Sequence, residues 1–471
     1  MRNKIKIILL FFLIVFLFLL LTMTHAHSFL VKPKEIVWNY NDVFLLDRNT
    51  NILVDAEYDY ELNLFIKNLK HIVDYNNKVI KDITIDSINN HKVNRNIIIG
   101  KADNSAIKNI LDSENIFIVG DEGYAIIIRE QYFLVTFNTL RGFYYAIHTV
   151  EEILKRSSLK IKGSNILCEI PSVKIVDYPA IDKRILHITV FDILDVDKIK
   201  DIIDTAAQYK FNAIIFSINN GIKYDRRPNI SKTNALRKDQ VSELIAYAQQ
   251  RHIEVIPEVN LLGHQEWLLS PVYPELIITE GILHHSPKMF HTYNPQNPVV
   301  YEIVFDILEE IIDVFKPKLF HIGHDEAFGL RVHDEPESYM LFADHVTKIN
   351  DFLSKKGIRT MIWGDMLKKE HNGEKKGLYK AIDFIPKDII ITDWVYHYQI
   401  DYPSVRYFSK KGFLVFGAVF KRESAIHSFS NFIKSFNQKT KGMITTTWFY
   451  PPWHKTEMLH RLIKVSSENY W

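Results

Sequence analysis

The run Lys318-Leu319-Phe320-His321-Ile322-Gly323-His324-Asp325-Glu326 is an apolar strand that stops abruptly in two adjacent carboxylates. Neighbouring acids at the end of a buried strand repel one another and lose solvation, so the placement is costly unless something uses them. The same rhythm recurs outward in both directions. Short apolar strands are expected at Arg184–Val190, Ala213–Ser217, Ile253–Val259, Lys318–Gly323, Arg359–Trp363, Ile389–Trp394, Phe413–Ala418 and Met443–Trp448. Between them lie stretches of helical period, such as Val196–Tyr209, Asp239–Arg251, Val299–Phe315 and Ser338–Lys356. Eight strand–helix repeats in this length predict an α/β fold, a (β/α)8 TIM barrel over residues 176–471.

Upstream the rhythm changes. Strands at Asn51–Val54, Asn96–Ile99, Tyr124–Ile128 and Tyr132–Phe137 mix with helical stretches at Glu57–Val73 and Leu140–Lys155. This predicts a smaller α+β domain over 29–175. Residues 1–26 read differently again: Arg2, Lys4 and Lys6 precede an unbroken apolar run, Ile7–Leu21, and then Thr24-His25-Ala26. That pattern predicts an export signal, or an N-terminal membrane anchor if it stays uncleaved, and hence an exported, secreted or membrane-anchored protein. A formal net charge of +2 is too small for a nucleic-acid footprint. The one cysteine, Cys168, excludes an intramolecular disulfide and any cysteine metal cluster.

Barrels of this kind carry their sites at the C-terminal ends of the strands. Here those ends deliver Asp192, Asn219, Asn220, Glu258, Asn260, His264, Glu266, Asp325, Glu326, Trp363, Asp365, Trp394, Tyr396 and Trp448. Carboxylates ringed by tryptophan and tyrosine suit a sugar, whose C–H face packs on aromatic rings while polar groups orient its hydroxyls. Each tryptophan taken alone is more often core, and adjacent acids often cap a helix. His321, His324, Asp325 and Glu326 also suggest a metal site, but residues three apart on a strand face opposite ways. No metal or cofactor is therefore expected.

The order of short motifs resembles glycoside hydrolase family 20, the exo-acting β-N-acetylhexosaminidases. The upstream matches are Glu122-Gly123-Tyr124, Arg141-Gly142-Phe143-Tyr144-Tyr145-Ala146, Ile170-Pro171 and Asp177-Tyr178-Pro179. In the barrel they are Lys183-Arg184, Ile256-Pro257-Glu258, Gly263-His264, Asn294-Pro295-Gln296-Asn297-Pro298, Trp363-Gly364-Asp365 and Trp394-Val395-Tyr396. The most specific is His321-Ile322-Gly323-His324-Asp325-Glu326, similar to the family's His-x-Gly-Gly-Asp-Glu signature.

The resemblance implies a retaining, substrate-assisted hydrolysis of terminal β-linked N-acetylhexosamine from glycans or glycoconjugates. Common glycosidases set two carboxylates ~5 to 9.5 Å apart across the scissile bond, and this family is an exception. Glu326 is then the general acid, Asp325 the partner of the acetamido N–H, and Tyr396 the donor to the acetamido oxygen. Trp363, Trp394 and Trp448 wall the pocket, Arg184 binds outer sugar hydroxyls, and His264 and Asp365 support substrate binding. Two other readings stand beside this one: a sugar-binding protein on a disabled barrel, and a retaining glycosidase whose nucleophile is Glu258. The chain departs from the family pattern at Asn219-Asn220, at His324 in place of a glycine, and at Phe449-Tyr450-Pro451, where an acidic partner is usual. Glu423 is the candidate substitute for that acid.

Overall fold

A computed structural model describes residues 29–73, 85–88, 95–162, 165–278, 291–330, 337–375, 377–448 and 456–471. The expectations for residues 1–26 and for Phe449-Tyr450-Pro451 lie outside them. The chain divides into two compact units, Met1–Pro179 and Ala180–Trp471. Among the described residues no helix is long and apolar enough to cross a membrane.

The first unit is built on a mixed sheet of β1 (Glu35–Leu46), β2 (Ile52–Val54), β3 (Ile85–Ser87), β4 (Asn96–Lys101), β5 (Tyr124–Ile128), β6 (Tyr132–Phe137), β7 (Ser158–Lys162) and β8 (Asn165–Asp177). The order is β1-β8-β5-β6-β4-β2-β3, with β7 pairing β8. Tyr124–Ile128 is buried throughout, because helices cover both faces and leave no polar side for alternation to mark. One face carries Leu53, Ile98, Ala125, Ile127 and Leu134, which pack with Ile107 and Leu111 of a covering helix. The helix Ser105–Ser113 lies there, its first N–H groups satisfied by Asn104 Oδ1 at 3.0 and 3.4 Å. The other face holds Phe137 stacked on Phe143 at 4.6 Å, from the helix Leu140–Leu154.

Pro171 lies inside β8. The antiparallel register with β1 slips between Asn39 and Val43, opposite Ser172 and Pro171. A proline has no N–H for the ladder, so a bulge is where a strand tolerates it.

The second unit is a closed parallel barrel of β9 (Lys183–Thr189), β10 (Ala213–Ser217), β11 (Glu254–Glu258), β12 (Leu319–His321), β13 (Arg359–Trp363), β14 (Ile390–Trp394), β15 (Leu414–Val419) and β16 (Gly442–Thr445). Alternate residues point inward, and Ile185, Ala213, Ile215, Ile256, Met361, Ile390, Phe416 and Ile444 fill the interior. The isoleucines, Met361 and Phe416 contribute about 1.5–3 kcal/mol each by leaving water, so the barrel is a packed plug with chemistry confined to its rim. The helix Pro298–Phe315 shows how the outer layer is punctuated: Asn297 Oδ1 accepts the Val299 N–H at 3.0 Å, Pro298 opens the first turn, and Lys316 closes it with a left-handed backbone. The regular part of β12 is shorter than the sequence predicts. Its pairing continues through Ile322 N–H to Met361 O and Trp363 N–H to Gly323 O, but Gly323 turns left-handed at φ 69° and ends the extended run.

Candidate active site

That left-handed turn presents the carboxylate pair. Gly323, His324 and Glu326 all have positive φ, at 69°, 72° and 48°. Residues bearing a β-carbon adopt this region only when surrounding contacts impose it, at a cost of about 1–3 kcal/mol each. Two contacts hold Glu326: its N–H donates to Asp365 Oδ2 at 3.1 Å, and Asn372 Nδ2 pins the same oxygen at 2.8 Å. A neighbouring loop presses on the turn. A β-carbon at Gly263 would sit 2.2 Å from Asp325 O, so only glycine fits there.

His264, one residue on, joins the two acids. Its Nε2 lies 3.3 Å from Asp325 Oδ2 and 3.3 Å from Glu326 Oε2, and its Nδ1 lies 3.1 Å from Glu266 Oε1. The ring stacks on Trp267 at 4.6 Å, within 3° of parallel. Burial alone would lower its pKa, but the Asp325 charge and the ring's hydrogen bonds to Asp325, Glu266 and Glu326 outweigh burial and raise it well above the ordinary imidazole value. With carboxylate oxygens at both ring nitrogens, the protonated ring is the favoured form of His264 between the two acids. The atoms of His264, Asp325 and Glu326 come within 4.8 Å of one another, close enough to share a metal ion. This trio differs from the His321–His324 grouping that the sequence suggests, and the imidazolium itself supplies positive charge to it.

The pair is not equally enclosed. The Asp325 side chain is 13% exposed and that of Glu326 is 25% exposed, so Glu326 reaches furthest towards solvent. Tyr396 stands opposite. Burial raises its pKa, donors from Thr446 and Trp448 oppose that, and the Asp325 and Glu326 charges add to it; the net direction is well up, so the phenol keeps its proton. Its oxygen accepts from Trp448 Nε1 at 2.9 Å, which leaves the O–H free to donate. Trp394 stacks on the Tyr396 ring at 4.9 Å and Trp448 lies 6.0 Å from Trp363, so aromatic faces line the mouth.

Under this rim sits a closed polar layer. Glu258 is fully buried, with Oε2 2.8 Å from His187 Nε2 and Oε1 3.1 Å from His321 Nδ1. Trp363 Nε1–H donates to Oε1 at 2.9 Å. Burial would raise the Glu258 pKa, but the His187 and His321 charges and hydrogen bonds pull it well below the carboxylate range. Trp363 is only 1% exposed and forms the floor of the mouth rather than a wall. His187 has its ring 4.1 Å from Trp448, and a reading confined to strand ends misses it. The available signal is parity: Ile185, His187 and Thr189 alternate on β9, and Ile185 points into the barrel.

Two predicted binding residues need correction. Arg184 sits near the start of β9, at the opposite end of the barrel from the site, and is 1% exposed. Its guanidinium donates to Lys210 O and Ile181 O, both at 2.8 Å, and lies over the Trp471 ring. It closes the barrel base and cannot reach a sugar at the rim. Asp365 is fully buried behind the turn, so it holds the Glu326 backbone instead of touching substrate. Its carboxyl is raised by burial first and then by the Asp325 charge, with Glu326 adding to it. Asn219 Oδ1 accepts the Asn260 N–H at 2.9 Å and serves the loop rather than the acids. Glu423 pairs with Arg461 at 2.6 Å.

The family description "Glycosyl hydrolase family 20, catalytic domain" matches residues 192–415, and "Glycosyl hydrolase family 20, domain 2" matches residues 32–178. The chain is 24% identical over 338 residues to a beta-hexosaminidase of Porphyromonas gingivalis, covering 60% of this chain and 42% of that protein. It is 22% identical over 312 residues to a lacto-N-biosidase of Bifidobacterium bifidum, covering 63% and 26% respectively. The chain thus spans less than half the length of these curated relatives. An exo beta-N-acetylglucosaminidase of Vibrio harveyi has a similar fold, with a TM-score of 0.68 at 18% identity over 95% of this chain and 74% of that one. A Streptomyces plicatus N-acetyl-beta-hexosaminidase superposes with a TM-score of 0.65 at 16% identity, covering 93% and 89%.

Proposed function

This chain belongs to glycosyl hydrolase family 20, and from that premise we propose that it hydrolyses terminal β-linked N-acetylhexosamine from the ends of glycans, with retention of configuration. The observation that carries the reading is the Asp325–Glu326 pair bridged by His264 at 3.3 Å to each acid, facing a protonated Tyr396.

The acids are adjacent, so they cannot flank a glycosidic bond as nucleophile and acid. The substrate's own acetamido carbonyl oxygen instead attacks the anomeric carbon. The bond from that carbon to the leaving oxygen breaks, and Glu326 delivers a proton to the leaving oxygen. Asp325 accepts the acetamido N–H and stabilises the positive charge of the oxazolinium ring, while Tyr396 donates to the acetamido oxygen and holds it in line. Water then attacks the same carbon from the vacated side, Glu326 takes its proton, and the ring reopens. The Glu258 alternative is disfavoured because that carboxylate is fully buried and its oxygens face His187, His321 and the Trp363 N–H.

The test is turnover of chromogenic β-N-acetylglucosaminide and β-N-acetylgalactosaminide by folded protein. Hydrolysis with a β-configured first product supports the reading; saturable binding of N-acetylhexosamine with no turnover of either substrate selects the disabled-barrel alternative. Residues 1–26 fit export to, or anchoring at, the outer face of a membrane. N-terminal sequencing of protein recovered from outside the cell tests that proposal, and an intact Met1 in a soluble cytoplasmic pool defeats it.

A further inference from the structure

We infer that His324 and His345 form a stacked imidazole brace that sets the geometry of the catalytic turn, making both of them positioning residues for Asp325 and Glu326. The inference rests on the proposed role of that pair.

His324 occupies a left-handed position, φ 72°, between Gly323 and Asp325. A residue with a β-carbon there needs something to hold it. The side chain supplies it: Nδ1–H donates to Ile322 O at 2.8 Å, folding the ring back under its own turn. The ring is fully buried, lies 5.0 Å from the His345 ring at 23° to it, and meets the Phe342 edge at 5.8 Å. His324 Nε2 is buried without a hydrogen-bond partner. An apolar filler would avoid that cost, but it would not combine the bond to Ile322 O with a flat face for stacking.

His345 extends the brace to the second half of the site. It comes from the helix Glu337–Ser354. Its Nε2–H donates to Leu261 O at 2.7 Å and its Nδ1 accepts from Tyr301 O–H at 3.0 Å. Tyr293 O–H donates to the same Leu261 carbonyl. Leu261 N–H in turn donates to Ile322 O at 3.1 Å, the carbonyl that His324 uses. Gly263 and His264 follow two and three residues later. One ring pair therefore ties the turn bearing Asp325 and Glu326 to the loop bearing His264, and the 3.3 Å contacts among those groups depend on both. Burial keeps both rings neutral, with further lowering of His324 by His345 and of His345 by Lys348. Neutral rings stack without repulsion.

The experiment compares wild type with His324→Gly, His324→Asn and His345→Phe. Glycine keeps the left-handed backbone and removes the ring. Asparagine tolerates the same backbone and retains a donor for Ile322 O, but cannot stack. Phenylalanine keeps a ring at 345 and deletes the bond to Leu261 O. The readouts are kcat and KM on a chromogenic β-N-acetylhexosaminide, and the affinity for a thiazoline mimic of the cyclised acetamido group, followed by tryptophan fluorescence. Positioning predicts that kcat and thiazoline affinity fall by about 10- to 100-fold in His324→Gly and His345→Phe, with KM nearly unchanged, and that His324→Asn recovers part of the loss. Variants within about twofold of wild type in both readouts overturn the inference. If His324→Gly fails to fold, His324→Asn and His345→Phe decide it by the same criteria. A wild type that binds the thiazoline without turnover removes the hydrolase reading, and the affinity arm still tests the brace. A wild type that neither binds nor turns over overturns both.

Discussion

Glu258, the last residue of β11, and Glu326, on the turn that follows β12, are the same side chain in two settings. Glu258 is sealed, with His187, His321 and the Trp363 N–H against its oxygens, and it is held as an anion. Glu326 is a quarter exposed and touches His264 only at 3.3 Å. A carboxylate saturated with donors makes a good pedestal and a poor proton carrier, because giving up its charge breaks every contact around it. Glu326, whose carboxylate meets His264 at 3.3 Å and is a quarter open to solvent, is placed to meet a substrate's leaving oxygen. Residue type is therefore shared between support and chemistry, and enclosure separates them.

Changing each glutamate to glutamine tests that contrast most strongly. Glu326→Gln should lower kcat by about 10²- to 10⁴-fold with little change in melting temperature, measured on a chromogenic substrate and by calorimetry. Glu258→Gln should do the reverse in emphasis: loss of the buried anion beneath its histidines costs about 3–5 kcal/mol of stability, read from denaturant unfolding. If instead Glu258→Gln leaves stability intact and abolishes turnover, with a covalent sugar trapped on that residue in wild type, the nucleophile assignment changes. Tyr396→Phe comes next. It removes one donor to the acetamido oxygen while keeping the ring against Trp394, and kcat should fall by about 10²-fold in single-turnover kinetics.

Protonation offers a gentler probe of the same two layers. His264 has a raised pKa, so its contribution to stability is complete below the unfolded value of 6.5 and fades as pH rises through its higher folded value. His345 has the opposite shift, down to about 4. Between 6.5 and about 4 the unfolded chain binds protons that the folded one refuses, so stability should decline as pH falls through that window. Melting temperature against pH should thus show a broad maximum, and His345→Phe should make its acid side less steep, with the remainder due to His324, while leaving the alkaline side unchanged. Smallest of all is the effect of Arg184→Met on catalysis. It should leave kcat/KM within about twofold while costing about 1–3 kcal/mol in stability, because the carbonyls of Lys210 and Ile181 lose their donors at the barrel base.

The Arg184 result shows where sequence reading stops. Its position beside the strand start is visible in the chain, but its match to a family motif suggested sugar contact. Depth along the barrel decides the matter, and the motif carries no depth. His187 failed in the other direction. It lies mid-strand, where site residues are not expected, yet its inward parity brings it beside Glu258 and Trp448. Asp365 shows a second limit: a strand-end acid can face either the mouth or the backbone of a neighbouring turn, and here it takes the Glu326 N–H. The barrel strands themselves were legible because each is a short apolar run bounded by helical period. Strand β1 was not, since its mixed, half-exposed Glu35–Leu46 resembles a loop.

The chain by itself therefore determined the barrel class, the strand on which the acids stand, and their adjacency, because these follow from periodicity and from neighbours along a covalent backbone. Only the tertiary structure decided which carboxylate is sealed and which is open, that His264 lies between the acids, and that His324 is stacked on His345 from a helix 21 positions away. Those are contacts across the barrel wall. They depend on how the strands close and stagger, and a local sequence pattern holds no record of that.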